Sequence, residues 1–508
     1  MLSNIIMGFT TALSPANLIA VLGGGTILGI CFGAMPGLSA TMGIAVLIPV
    51  SYGMEPATGL ILLAGVYVGA TYGGSISAIL VNTPGTPSAA ATGWDGHAMA
   101  LKGHGTEALI ESATASFWGT VIGFIALLTI APVLANFSLR FSTQENVMLA
   151  VFGLTIIASL SSKHLLKGLM GGAIGLLLGC VGMDPQYGFA RFTFGQMSLL
   201  TGFPTVPTLI GLYSISQLLG MIGNKDATVN MDNALSSINK YKFRLRDICC
   251  YPLTYLWCGI VGVIIGIIPG AGGSIAAFMG YDQAKHLSKH PEKFGTGYRE
   301  GISGPESANN GVIGGALIPM MTLGIPGNAV TAILMGALML HGLTPGNDLF
   351  TVKANVTYPF IFGLLVAAFV MVIVGVLGAK QFAKVNRIPQ NFLASGILVL
   401  TVLGAFSCNN SYADVFIMLG CGVLGYALKY MKIDLSSVVL GYILGPIAER
   451  GMVRTIIMEG SLGAAVMSIV TRPICIALIV ISIVSLAVPI YNNWKGAKQT
   501  DSEYLLSK

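Results

Sequence analysis

The chain has 508 residues, 54% of them hydrophobic and 9% charged, with a formal net charge of +6 and a mean hydropathy of +0.79. A soluble globular protein carries about 25% charged residues, so this composition excludes one and points to membrane. The basic residues sit in loops between apolar segments, which fits a positive-inside bias and gives no reason to expect nucleic acid as a partner.

Crossing the hydrocarbon core takes about 20 mostly apolar residues. In chain order, such stretches include Leu109–Leu134, Val147–Leu160, Leu165–Val181, Pro359–Gly378 and Pro473–Ile490. With shorter apolar pieces they predict an all-α polytopic membrane protein of roughly ten to twelve crossings. No basic n-region precedes the first apolar stretch, so no cleavable signal peptide is expected. Of eight cysteines, all but Cys408 lie in or beside apolar segments and none forms a C-x-x-C pair. Buried free thiols are expected, without disulfides or a metal site.

Charge sets the expected topology. No Lys or Arg precedes Lys102; the first hundred residues carry only Glu55 and Asp95. Basic groups then recur at Lys163 and Lys167, at Lys225 to Arg246, at Lys285 to Arg299, at Lys380 to Arg387, and at Lys429 and Lys432. Placing each cluster in the cytoplasm requires even numbers of crossings between them. Between Arg246 and Lys285 the apolar stretch Tyr251–Gly280 is interrupted by IIPGAGGS (Ile267–Ser274). Two short arms around a broken tip predict a re-entrant hairpin, since irregular backbone at membrane depth must be buried or line a cavity. Arg450, Arg454 and Arg472 fit no simple alternation, so charge assigns no topology to Leu435–Thr471.

The interruptions repeat. GICFGAMPG (Gly29–Gly37) matches GVIIGIIPG (Gly262–Gly270) without a gap, 233 residues apart. A Gly-Gly pair precedes Pro84-Gly85 and another precedes Pro326-Gly327, at intervals that differ by one. The chain reads as a first half (1–222), a cytoplasmic linker (223–247) and a second half (248–508), each half with two Pro-Gly breaks. The loop Ser51–Ala57 carries Glu55 and no base, whereas Lys285–Gly301 is strongly basic. Matching loops of opposite character place the halves as inverted repeats, and paired interruptions point to a transporter's binding site.

Proline removes a backbone donor and glycine tolerates positive φ. A Pro-Gly break therefore ends one helix and starts another. Freed N–H groups at the new helix start favour anions. Freed carbonyls and hydroxyls suit Na⁺, a hard cation. One broken pair can hold a carboxylate and its counter-cation without a buried formal charge. The candidates are Pro36, Gly37 and Ser39 in MPGLSAT, with Thr41 beside them. Asn82, Thr83, Pro84, Gly85 and Thr86 follow in VNTPGTPS, with Ser88. Pro269, Gly270, Gly272, Gly273 and Ser274 form PGAGGS. Pro326, Gly327 and Asn328 lie in GIPGNAVT, with Thr331. The alternative is that these breaks only kink packed helices. On the site reading, valine at Gly85 or Gly327 blocks the site and leaves the fold largely intact.

GPESANNG (Gly304–Gly311) adds Asn309 and Asn310, with Glu306 before them. Amides entering a membrane helix are costly without partners, so they suit a contact to substrate or ion; a helix cap by Ser307 or Asn309 is the alternative. GWDGHAMALKGHG (Gly93–Gly105), with Asp95, His97 and His104 beside Lys102, reads as a cytoplasmic loop. Glu449 and Arg450 read as a local ion pair, and Gly23–Gly25 as close helix packing. An intramembrane enzyme would need paired Asp, or Ser with His or Lys, at membrane depth. None is apparent, and His341 has no evident partner in the sequence.

YGGSISAILVNTPGTPSAAATGWDG and GPESANNGVIGGALIPMMTLGIPGNAVTA resemble the signature stretches of the large membrane subunit of tripartite tricarboxylate transporters. The similarity covers most of the chain, including LGPIAERGMVR and VTRPI. It departs at GWDGHAM, where a proline often follows the Asp-Gly pair. The resemblance implies a multi-pass subunit of a symporter in the bacterial inner membrane, importing citrate-like or other organic carboxylates. It implies two partners, a small four-helix membrane subunit and a periplasmic solute-binding protein. The implied coupling cation is Na⁺ or H⁺, with no other cofactor. No ATP-binding motif is seen, so an ion gradient is the expected energy source, with an elevator-like or rocking movement alternating access. A stand-alone carboxylate carrier or channel is the rival, and predicts uptake by this chain alone.

Overall fold

The computed structural model describes residues 2–35, 38–160, 165–184, 188–223, 243–270, 272–385, 390–484 and 486–487. Lys163, Lys225, Lys240, Lys242 and Arg387, and with them most of the linker 223–247, lie outside the described residues, as do Pro36 and Gly37.

The principal helices are α1 (Leu2–Ala12), α2 (Pro15–Ala34, π-helical over Ala20–Thr26), α3 (Ala40–Tyr52), α4 (Pro56–Val81), α5 (Ala90–Leu101), α6 (Gly105–Ser138), α7 (Thr143–Leu160), α8 (Leu165–Gly179) and α9 (205–223, π-helical over Gly211–Ile215). They continue as α10 (Pro252–Ile267), α11 (Gly272–Leu287), α12 (Glu300–Leu323), α13 (Ala329–Leu340), α14 (Ala354–Val385), α15 (Gln390–Asn409), α16 (Tyr412–Tyr430), α17 (Leu435–Glu459), α18 (Leu462–Thr471) and α19 (Pro473–Val484). Strands β1 (Gly182–Met183) and β2 (Ala190–Arg191) pair antiparallel.

By length and composition, five helical stretches among the described residues can cross a bilayer: α2, α4, α6, Ala354–Gly378 of α14, and α16. The pair α17–α18, bent by 105°, makes a sixth if it is one span. This is fewer than the sequence predicts. Most of the remaining apolar helices hold 10–17 residues. At 1.5 Å per residue, a helix the length of α3 reaches only about 20 Å of a ~30 Å core.

The chain forms two compact units. The first runs up to Asn136 and again over Val206–Val423; the second comprises Phe137–Thr205 and the chain from Leu424 on. Both halves' Pro-Gly breaks lie in the first unit. Its core is built on α4 and α12, which are buried along almost their whole length. Small residues let neighbouring backbones touch, as membrane helices favour in the absence of a hydrophobic drive between them. A Cβ on Gly29 would lie 2.6 Å from Val66 O, and one on Gly262 would lie 2.0 Å from Ala308 O. Gly69 faces Thr26 O as Gly311 faces Gly259 O; Gly73 faces Ile30 O as Gly315 faces Val263 O.

These contacts pair position with position at spacings of 233 in α2 and α10 and 242 in α4 and α12. Gly73 therefore matches Gly315, and the one-residue discrepancy between the Gly-Gly pairs disappears: Gly74 matches Ala316. The arms of each first break fold back on one another. Cys258 Sγ donates to Gly280 O at 3.3 Å across the α10–α11 tip. A Cβ on Gly43 would lie 3.2 Å from Phe32 across the α2–α3 tip.

One end of the first unit gathers charge. Arg299 donates from Nε to buried Glu111 at 2.5 Å and from Nη1 to Asp247 at 3.2 Å. Glu111 also accepts from Tyr255 Oη and Ser303 Oγ, each at 2.6 Å. The GWDG stretch is helix α5, where a loop was expected. Asp95 is fully buried and accepts from Tyr281 Oη and the backbone N–H groups of Gly295, Gly297 and Tyr298 at 2.8–2.9 Å. Lys102 Nζ donates to Thr296 O nearby. Elsewhere in this unit, His341 Nε2 stands 3.3 Å from Ser51 Oγ, a partner 290 positions away that no sequence motif marks. Cys249 is exposed, and Cys31, Cys180 and Cys250 are half-buried, unlike the burial expected of the thiols.

In the second unit α17 packs on α8 through Gly175 and Gly441, again backbone to backbone. Glu449 accepts from Nη1 and Nη2 of Arg191 of β2, and does not pair with the adjacent Arg450. Arg472 reaches Glu145 at 3.0 Å. Gly460, at φ 79°, ends α17, and Ser461 caps α18, which accounts for the turn inside Leu435–Thr471.

Candidate functional site

Helix α4 ends at Asn82, which takes the left-handed conformation at φ 53°; α12 ends at Gly324, 242 residues on, at φ 70°. Each end turns through Pro-Gly. Asn82, Thr83 and Pro84 are exposed, whereas Gly85 and Thr86 are buried. Thr86 Oγ1 bonds Ser88 Oγ at 3.2 Å before the 3₁₀ turn Pro87–Ala89 leads into α5. In the second half, Asn328 Oδ1 accepts from Thr331 N at 2.9 Å and Thr331 Oγ1 accepts from Asn328 N at 3.0 Å, a reciprocal cap on α13. Pro326 and Gly327 are buried beneath it.

The two glycines of these turns are held against backbone. A Cβ on Gly85 would lie 2.0 Å from Gly33 O, and one on Gly327 2.6 Å from Gly266 O. Gly33 and Gly266 are themselves repeat mates. Valine there collides with a carbonyl, so it cannot be the silent obstruction expected from sequence.

The second hairpin's tip reaches the first half's turn. Pro269 and Gly270 are buried; Gly270 and Gly272 have φ of 83° and 69°, and Gly270 N donates to Gly327 O at 2.7 Å. A Cβ on Gly273 would meet Asn309 Oδ1 at 2.5 Å and Ser88 Cβ at 3.1 Å. Ser274 lies next along the first turn of α11, half-buried. Ser88, Gly273 and Asn309 thus come together from three elements. Asn309 is 3% exposed, and its Nδ2 has no hydrogen-bond partner among the described residues. A buried amide donor left so costs about 1–3 kcal/mol. Together with the free N–H groups of the α11 N-terminus it presents donors to an anion.

The repeat-related place is built differently. Position 309 corresponds to Tyr67, whose phenol oxygen accepts from Asn328 Nδ2 at 2.8 Å. Ser39, on the first hairpin, caps α3 by accepting from Met42 N at 3.3 Å and bonds Thr41 at 2.5 Å. One place is lined by an unpartnered amide; its mate carries a phenol hydrogen-bonded to the corresponding turn.

Adjacent Asn310 faces another way. It donates to Ser116 Oγ at 2.9 Å and to Glu306 O at 3.0 Å, inside a cluster around the Glu306 carboxylate. That cluster joins α12 to Ser75 of α4, Thr92 of α5 and Ser116 of α6. Tyr67 and Ser116 were not marked by any local motif, and Ser75 and Thr92 lie inside the signature stretch YGGSISAILVNTPGTPSAAATGWDG without being singled out. The 242-residue register would have aligned Tyr67 with Asn309; no pattern in the sequence announces the three hydroxyls.

A family model described as "Tripartite tricarboxylate transporter TctA family" matches residues 18–440. The chain is similar to an "Uncharacterized 52.8 kDa protein in TAR-I ttuC' 3'region" of Agrobacterium vitis, 36% identical over 485 residues and 95% of each chain. It is also similar to an "Uncharacterized protein in TAR-II ttuC' 3'region" of the same organism, 35% identical over 223 residues, 44% of this chain and 91% of the relative. No solved structure matches.

Proposed function

Because this chain belongs to the tripartite tricarboxylate transporter TctA family, we propose that it is the large transmembrane subunit of a binding-protein-dependent symporter in the bacterial inner membrane. It imports tricarboxylates or related organic carboxylates with Na⁺ or H⁺. Its partners are a small four-helix membrane subunit and a periplasmic solute-binding protein that delivers the carboxylate. The two halves are inverted repeats, and the broken helices form the substrate site near mid-membrane. Access alternates as the broken-helix part moves, elevator-like, against a scaffold.

The observation that carries this reading is the buried, unpartnered Asn309 Nδ2 beside the N-terminus of α11 and Ser88. A carboxylate accepts from such donors without needing a buried Lys or Arg, and the Pro-Gly turns contain neither. The test is uptake of radiolabelled citrate and other carboxylates into proteoliposomes, with binding protein added or omitted and Na⁺ and pH varied. Uptake that requires the binding protein and a cation gradient is expected. Robust uptake by this chain alone, at micromolar substrate, counts against it and favours a stand-alone carrier.

A further inference from the structure

Glu306 is fully buried in the second turn of α12, three residues before Asn309. Its carboxylate accepts from Ser75 Oγ, from Thr92 Oγ1 at 2.5 Å and from Ser116 Oγ at 2.7 Å. The Asn310 amide holds Ser116 in place and receives Thr120 Oγ1 at 3.5 Å. Every side chain that bonds the carboxylate oxygens is a hydroxyl. No Lys, Arg or His among the described residues pairs with it. The other buried acids of this unit have other provisions. Glu111 and Asp247 share Arg299, Asp95 has three backbone N–H groups and Tyr281, and Asp414 accepts from Asn409 Nδ2. Glu300 accepts from the hydroxyls of Thr254 and Ser288, but it lies in the first turn of its helix, where free N–H groups favour a carboxylate.

A buried carboxylate with no balancing charge is costly, and hydroxyl bonds alone do not neutralise it. Hydroxyls have a property that amides lack here: each can donate or accept. They can point their protons at an ionised carboxylate, or turn and offer lone pairs to a cation or to a protonated carboxyl. The oxygens present are hard and the site carries one negative charge, which matches one monovalent cation. The packed helix α4 also carries the buried phenol of Tyr72. The other charged or titratable groups on the packed elements are Asp95 and His97 of α5, Glu107 and Glu111 of α6, Asp282, Lys285 and His286 in the C-terminal half of α11, and Glu300 beside Arg299 at the start of α12.

We propose that Glu306, with the hydroxyls of Ser75, Thr92 and Ser116, is where the transporter carries its coupling cation, a single proton or sodium ion. This rests on reading the chain as a cation symporter. The site lies one helical turn from Asn309, so loading it and ordering the substrate donors act on the same stretch of α12. Neutralising Glu306 removes the charge that would otherwise oppose a carboxylate nearby.

The test compares wild type with Glu306→Gln, which keeps the shape and still bonds hydroxyls, and with Glu300→Gln as a control, each purified as the full chain and monodisperse. Scintillation-proximity binding of radioactive sodium and infrared difference spectra on acidification are the two readouts. If the cation is sodium, saturable binding weakens by at least about tenfold in Glu306→Gln and not in Glu300→Gln. If it is a proton, the protonated-carboxyl band of the wild type is missing from Glu306→Gln and kept in Glu300→Gln. Neither signal in wild type, or both unchanged in Glu306→Gln, overturns the assignment. Citrate accumulation by the complete transporter separates the two layers. Wild-type accumulation indifferent to Na⁺ and pH gradients defeats the symport reading itself. Gradient-driven accumulation that survives Glu306→Gln defeats only the role given to Glu306.

Discussion

Asn328 Nδ2 donates to Tyr67 Oη at 2.8 Å, and Tyr67 occupies the place in the first half that Asn309 occupies in the second. The two halves therefore share a backbone plan and differ in what fills it. Asn309→Ala should weaken carboxylate binding by about ten- to a hundred-fold, because a hydrogen bond to a charged group is worth about 1.5–3 kcal/mol. Tyr67→Phe should leave substrate affinity within about twofold and cost about 1 kcal/mol of stability, the value of one neutral hydrogen bond. Calorimetric binding on monodisperse protein checks both; equal losses of affinity would show the two places to be equivalent.

Gly85→Val and Gly327→Val should act through folding. Each places a side chain within 2.0–2.6 Å of a backbone carbonyl that cannot rotate away. Overpacking of this kind costs about 1–3 kcal/mol or more. The thermal midpoint in detergent and the yield of monodisperse protein should fall in both, more in Gly85→Val. Wild-type stability with abolished binding would instead favour simple obstruction of an open site.

Asp95→Ala should release the segment 288–299. Four donors lose their acceptor, and each buried one left unsatisfied costs about 1–3 kcal/mol. Trypsin should then cut at Lys289 or Lys293 at least about tenfold faster than in wild type, at a temperature where both proteins remain folded. Asp95→Asn, which keeps one acceptor oxygen, should fall between them.

Lys102→Cys and Lys289→Cys, on a background lacking native thiols, should both be protected from an impermeant thiol reagent applied to the periplasmic face. The Lys102–Thr296 contact places these two loops at one end of the first unit, and on the positive-inside rule that end is expected in the cytoplasm. Labelling of Lys289→Cys from outside would rule out the re-entrant α10–α11 hairpin.

The backbone breaks were legible because proline and glycine act locally. Pro84-Gly85 and Pro326-Gly327 end helices wherever they stand, and their spacing gave the repeat. Residues such as Ser75 and Thr92 were not legible, since serine and threonine are ordinary in membrane helices and only their convergence on Glu306 distinguishes them. Asp95 misled for a related reason: an acid between glycines reads as a loop, yet here it accepts the N–H groups of a loop some 200 positions away while staying helical. Glu449 misled by proximity, because its sequence neighbour Arg450 points elsewhere and β2 supplies Arg191. The count of crossings read from apolarity exceeds the five or six long apolar helices found among the described residues, because apolarity does not report where a helix stops.

The lattice of bonds around Glu306 also sets a schedule for biogenesis. Ser75, Thr92 and Ser116 leave the ribosome long before their acceptor, which lies 190 residues beyond Ser116. At 5–20 residues per second that interval is about 10 to 40 s. For most of it the first half lacks Glu306 for its hydroxyls, the 295–298 segment for Asp95 and Gly273 against Ser88. The N-terminal half is thus a partner in waiting, and truncation before residue 273 should yield a chain that quality-control proteases recognise even when every helix it encodes has been inserted.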